Sequence, residues 1–176
     1  TTVTGQLIAL DIGELAPLIT FIGVALALFV KRKQTQFAGG IIAGLGYGDN
    51  TRAALITRGL YEMSLYGVVK GGQRETYFGL TGIGDLIVTC SSVHSRNYQA
   101  GLEIGESNRA IDFMAHNTKT CEGVRTCKVI HDDVSQNNYG IETPIVDAVY
   151  RVLYENADPK ATVAELMARD LKSEQL

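Results

Sequence analysis

Beyond residue 38 the chain repeats apolar positions with the period of a helix. Ala53, Ile56, Leu60 and Met63 recur at three- and four-residue steps, which places them in one stripe on a helix face. Val124, Cys127, Ile130 and Val134 do the same within a helix predicted over 122–136. Ile145, Ala148, Val149, Val152 and Leu153 follow at i, i+3, i+4, i+7 and i+8. Start and stop signals frame these stripes. Asp49 or Asn50 can cap a helix beginning near Thr51, Ser95 caps one to about Gly105, and Asn108 opens one to about His116. Thr143-Pro144 and Asp158-Pro159 each put a proline in a first helical turn, the second opening a last helix with Val163, Leu166 and Met167 inward. Gly67 and the Gly71-Gly72 pair close the helix from Thr51, and Gly140 closes the turn after 136. Short helices are expected over 74–78 and 85–90. No segment after Gly39 alternates with period two, so the fold class is all-α, with about seven to nine helices of ordinary length.

Residues 1–38 are apolar and irregular, and they are set apart as an atypical segment preceding a helical domain over 39–176. Residues 15–30 are apolar except for Thr20, and Lys31-Arg32-Lys33 follows them. An apolar run with a basic stop has the layout of a membrane anchor. This one falls short of the ~20 residues that span a bilayer, and Pro17 and Gly23 interrupt it. A buried helix, or a segment that fits its fold badly, is the favoured reading over a membrane span. A cleaved leader is weaker still, because the basic residues follow the apolar run.

Composition narrows the function classes. Hydrophobic residues make up 45% and charged residues 20%, ordinary globular values. A net charge of −3 gives no nucleic-acid footprint. The three cysteines, Cys90, Cys121 and Cys127, are odd in number and lack zinc spacing, which fits reduced thiols in a cytosolic protein. The three histidines are scattered, so no metal site is expected. The cluster Gly44-Leu45-Gly46-Tyr47-Gly48 invites a nucleotide-loop reading, but it lacks both a preceding strand and the G-x-G-x-x-G order. Its glycines are better used for close helix packing and a sharp turn.

The candidate chemistry lies between residues 81 and 97. Thr81-Gly82-Ile83-Gly84-Asp85-Leu86-Ile87-Val88-Thr89-Cys90 sets a lone carboxylate ten residues before Ser95-Arg96-Asn97, which opens a predicted helix. A helix start offers unpaired N–H groups and a positive dipole end, and Arg96 adds a guanidinium fork, a combination suited to a phosphate. Asp85 can orient a hydroxyl of the same small molecule, with Thr89 one turn further on the same face. Structural alternatives stand beside these roles: Asp85 as a helix cap, Arg96 as a solvated charge, Glu122 as an acid in a first helical turn. Arg58 and Arg125 read as ion-pair partners, His94 as a loop residue, Cys90 as a small buried hydrophobe, and Tyr150 with Tyr154 as helix packing.

Four blocks in order resemble the C-terminal domain of the bacterial NAD(P)-dependent glycerol-3-phosphate dehydrogenases. They are Gly44-Leu45-Gly46-Tyr47-Gly48-Asp49-Asn50 with 53–60, Gly79-Leu80-Thr81-Gly82-Ile83-Gly84-Asp85-Leu86 with Thr89-Cys90, Ser95-Arg96-Asn97, and Glu122-Gly123-Val124-Arg125-Thr126. Pro144-Ile145 and Asp158-Pro159 complete the order, and the likeness covers about residues 39–170. The resemblance implies the helical half of a 6-phosphogluconate-dehydrogenase-like architecture, without its Rossmann domain. It implies interconversion of dihydroxyacetone phosphate and sn-glycerol 3-phosphate with NAD or NADP in glycerophospholipid synthesis, by a cytoplasmic homodimer. It carries substrate contact to Asp85, Ser95, Arg96 and Asn97, and cofactor contact to Arg96, Thr120 and Glu122; a supporting contact from Thr89 is reasonable by its place on the helix. The family's catalytic lysine stands twelve residues before the first glycine of its Gly-Leu-Gly block. Here that count from Gly44 falls on Arg32, flanked by Lys31 and Lys33. Lys31 therefore joins Asp85 as a candidate catalytic residue. An arginine stays protonated and is a poor proton donor, so the chain by itself is expected to be inactive. The alternative function is a non-catalytic helical module for dimerisation or association.

Overall fold

A computed structural model describes residues 32–110, 113, 115 and 121–169. Among them every regular element is helical and no strand occurs. In chain order these are α1 (32–44), α2 (Asp49–Val69), α3 (Arg74–Tyr77), a π-helical turn (Leu80–Gly84), α4 (Asp85–Cys90), α5 (Arg96–Ser107), α6 (Glu122–Asn137), α7 (Pro144–Tyr154) and α8 (Pro159–Ala168). The apolar segment 15–30, Lys31 and Thr120 lie outside the described residues.

The proline and serine signals act as their chemistry dictates. Pro144 and Pro159 open α7 and α8 in the first turn, where a missing N–H leaves no carbonyl short of a partner. Asp158 accepts from the Ala161 amide at 2.7 Å, and Ser95 accepts from the Tyr98 amide at 3.4 Å. Two expected starts differ. Helix α2 begins at Asp49 itself with Gly48 as its cap and no side-chain cap. Asp49 instead pairs with Arg52 at 2.7 Å inside the first turn, where a carboxylate also meets the helix dipole. Asn108 ends α5, and the helix expected from it starts later, with residues 110, 113 and 115 helical. The Asn108 φ of 51° is left-handed, a conformation asparagine tolerates at a helix end. Its side chain donates to Asp158 Oδ2 at 2.7 Å and accepts from the Lys160 amide at 3.1 Å, so it fastens the end of α5 to the start of α8.

Helix α1 runs unbroken through positions 38 and 39, where the sequence places its boundary. It packs on α5 through two pairs of glycines one turn apart. A Cβ on Gly40 would lie 2.0 Å from the Tyr98 carbonyl oxygen and one on Gly101 2.0 Å from that of Phe37; at Gly44 and Gly105 the nearest carbonyl oxygens are 2.3 and 2.4 Å away. Only glycine permits this approach. The pairing runs upward along both helices together, so they lie side by side in the same direction and residue 36 falls opposite the start of α5.

The main core joins α1, α5, α6, α7 and α8 through residues such as Phe37, Ile41, Ile104, Ile130, Val146 and Leu166. A smaller cluster of Leu60, Met63, Tyr77, Leu86 and Cys90 seats α3 and α4 on α2. Polar clamps close the ends. Glu62 is buried and accepts from the Ile145 amide at 2.7 Å, which satisfies a first-turn N–H of α7 from a neighbouring helix. Arg58, expected in an ion pair, instead donates to the Leu166 and Arg169 carbonyls at the end of α8. Lys70, Tyr66 and Tyr139 converge on the Asp133 carboxylate, tying the end of α2 to α6.

Candidate functional site

The site is built where the starts of α4, α5 and α6 meet the first turns of α1. Gly82 in the π turn allows the chain to pass Tyr77, whose carbonyl oxygen would stand 1.8 Å from a Cβ there. The turn delivers Asp85 to the first position of α4, partly exposed. Arg32 Nη1 donates to Asp85 Oδ2 at 2.5 Å. Arg32, the residue at the lysine position, therefore meets the carboxylate that the resemblance assigns to substrate.

Asn97 joins the starts of α5 and α6. Its Oδ1 accepts from the Gly123 amide at 3.0 Å and from the Cys121 thiol at 3.2 Å. A Cβ at Gly123 would lie 2.6 Å from that oxygen, so a larger residue there would push the Asn97 carboxamide aside. Ser95 Oγ and Asn97 Nδ2 both donate to Gln36 Oε1, at 3.1 and 3.3 Å. Gln34 Nε2 donates to the Gly123 carbonyl at 3.0 Å and to Thr126 Oγ1 at 2.9 Å. Lys33 donates to Glu122. Its hydrogen bond and charge hold the Glu122 carboxyl below the usual carboxylate range. Arg96 is exposed and makes no hydrogen bond or ion pair among the described residues, so its guanidinium is available to a ligand.

The sequence-predicted residues thus fall into three groups. Asp85, Ser95, Asn97 and Glu122 are brought to one end of the bundle, each bonded to a residue of α1, with Arg96 beside them. Thr89 Oγ1 donates to the Asp85 carbonyl of its own helix at 2.6 Å. Lys31 and Thr120 are outside the described residues. Sequence reasoning missed Gln34 and Gln36 and named Lys33 only as a neighbour of the lysine position; the signal was a polar run directly before a glycine-rich helical stretch. Cys90, Cys121 and Cys127 are all buried. Burial, helped by the Asp85 charge, pushes Cys90 up to about 12. Burial also raises Cys121, against the pull of the Val124 and Gly123 amides and of Arg96. No strand-turn-helix cradle for a dinucleotide exists among the described residues. Arg96 and Glu122 are the groups that could meet one from this side, and Glu122 is held by Lys33.

Fold and site together define an all-helical domain whose polar end is formed by converging helix starts. The family profile for the "NAD-dependent glycerol-3-phosphate dehydrogenase C-terminus" matches residues 21–164. A glycerol-3-phosphate dehydrogenase [NAD(P)+] of Clostridium botulinum is 51% identical over 140 residues, 78% of this chain and 41% of that protein. One from Solidesulfovibrio magneticus is 46% identical over 137 residues, with the same coverage of 78% and 41%. The crystal structure of glycerol-3-phosphate dehydrogenase from Coxiella burnetii superposes with a TM-score of 0.75 at 39% identity, over 84% of this chain and 45% of that one. The chain belongs to the NAD(P)-dependent glycerol-3-phosphate dehydrogenase family, as its C-terminal domain. It spans less than half the length of these relatives. The matched region begins at residue 21, inside the segment that the sequence pattern sets apart.

Proposed function

We propose that this chain is the substrate-side half of an enzyme interconverting dihydroxyacetone phosphate and sn-glycerol 3-phosphate with NAD(P)H. Arg96, beside the starts of α5 and α6, receives the phosphate, with Ser95 and Asn97 as neutral donors. Asp85 orients a hydroxyl of the three-carbon unit. A reduced nicotinamide supplies the hydride in such a reaction. The resulting alkoxide needs a proton or a compensating charge. Arg32, paired with Asp85, places positive charge beside that carboxylate.

The observation that carries this reading is the junction of Asp85, Ser95, Asn97 and Glu122 with one polar stretch of α1, beside an available Arg96. Family membership supports a homodimer in the cytoplasm. No described helix is long and apolar enough to cross a membrane.

The Arg32–Asp85 pair also favours binding over catalysis by these residues alone. The 176-residue chain should bind sn-glycerol 3-phosphate yet show no turnover with NADH and dihydroxyacetone phosphate. A rate near the ~10 per second of ordinary enzymes would refute this. Formation of mixed dimers with a full-length family member would favour the second reading, a non-catalytic association module.

A further inference from the structure

We propose that Gln36 is a built-in competitor for the phosphate, so that its carboxamide oxygen sets how tightly this site takes a phosphorylated ligand. The inference rests on the phosphate reading of the Ser95–Asn97 end and deepens it. A hydroxyl has one proton, and that of Ser95 is committed to Gln36 Oε1. Ser95 Oγ meanwhile accepts from the Tyr98 amide as the helix cap, which fixes its position. Asn97 is fixed in the same way: its oxygen holds the Gly123 amide and the Cys121 thiol, and its nitrogen points a proton at Gln36. Both neutral donors assigned to the phosphate therefore already have an acceptor, and Gln36 is only 5% exposed. Water does not freely take over from it.

The exchange has a definite direction. At 3.1 and 3.3 Å, the two bonds to Gln36 are long contacts between neutral groups. A phosphate oxygen would form shorter, charge-assisted bonds with the same protons. Displacing Gln36 leaves a buried carbonyl oxygen without its donors, and that loss is subtracted from the anion's affinity. Gly40 and Gly44 hold α1 hard against α5, so the residue cannot withdraw by sliding the helix. Removing the carboxamide removes the competitor and leaves the donors in place.

The test is calorimetric titration of the full 176-residue chain with inorganic phosphate and with sn-glycerol 3-phosphate. The variants are Gln36→Ala, Gln36→Leu and Arg96→Gln. Gln36→Leu keeps most of the buried volume should the alanine variant fail to fold. Both Gln36 variants are expected to bind both ligands about tenfold more tightly, the worth of a recovered hydrogen bond to a charged group. Arg96→Gln is expected to lose binding. Unchanged or weaker binding by the Gln36 variants, with binding lost in Arg96→Gln, overturns the role of Gln36 and leaves the phosphate site standing. Full binding by Arg96→Gln, or none by any protein, overturns the phosphate site and the competitor together.

Discussion

In α7, Ile145, Val146, Val149 and Val152 are each no more than 2% exposed, and all are aliphatic. In the first turns of α1, Lys33, Gln34, Thr35 and Gln36 are each no more than 5% exposed, and all are polar. The aliphatic positions need only water's absence, and any well-packed neighbour provides it. Each polar side chain needs a particular partner, or its burial costs free energy. The partners are Glu122 for Lys33, Gly123 and Thr126 for Gln34, and Ser95 with Asn97 for Gln36. Burial by pairing ties α1 to the residues of the candidate site, whereas burial by dehydration makes α7 a scaffold.

The largest effect should come from the dehydrated side of this contrast. Ile145→Ala should lower unfolding stability by about 3 kcal/mol in urea titration, the transfer and cavity cost of a buried aliphatic side chain. Glu62→Ala should cost about 2 kcal/mol by the same measurement, because it leaves the Ile145 amide buried without that acceptor. Glu62→Gln retains an acceptor and should cost less. Gln34→Leu should move stability by no more than about 1 kcal/mol, toward greater stability. Its Oε1 is buried without a partner, and leucine removes that orphan as well as the bonds on the amide side. A large loss in Gln34→Leu would mean that paired burial in α1 stabilises the fold as strongly as aliphatic burial in α7.

A fourth expectation concerns acid. Burial works against the charge of Asp133, but hydrogen bonds from Lys70, Tyr66 and Tyr139 outweigh it and hold its carboxyl below the ordinary range. As pH falls, the unfolded chain therefore takes up this proton first. The stabilisation is complete above the unfolded value near ~4 and is lost as pH falls through the lower folded value. Asp133→Asn should flatten the acid limb of stability against pH. An unchanged limb would show that the cluster does not couple to folding.

The sequence revealed most where local chemistry decides. Ser95, Asp158, Pro144 and Pro159 start helices because their side chains or rings suit a first turn in any context. Asn108 located the next helix, helical at 110, 113 and 115, but not its start, because asparagine serves both ends of a helix. Only the fold shows that its backbone is left-handed and its side chain reaches Asp158. The run at 32–36 stayed opaque because polar burial leaves no apolar period; its partners lie 53 to 92 residues away in the chain. Asp85, Ser95, Arg96, Asn97 and Glu122 were named as candidates through the family's ordered blocks. That α1 already bonds to all of these but Arg96 was not legible there.

The central claim is that the polar turns of α1 and the starts of α5 and α6 form one phosphate-binding site. Nuclear magnetic resonance titration of the 15N-labelled chain with sn-glycerol 3-phosphate tests it most directly. The account predicts that the Gln36 and Asn97 side-chain amides and the backbone amides of residues 95–97 and 123 shift together along one saturation curve. Saturable shifts confined to α7 and α8, or none at these residues, would contradict it.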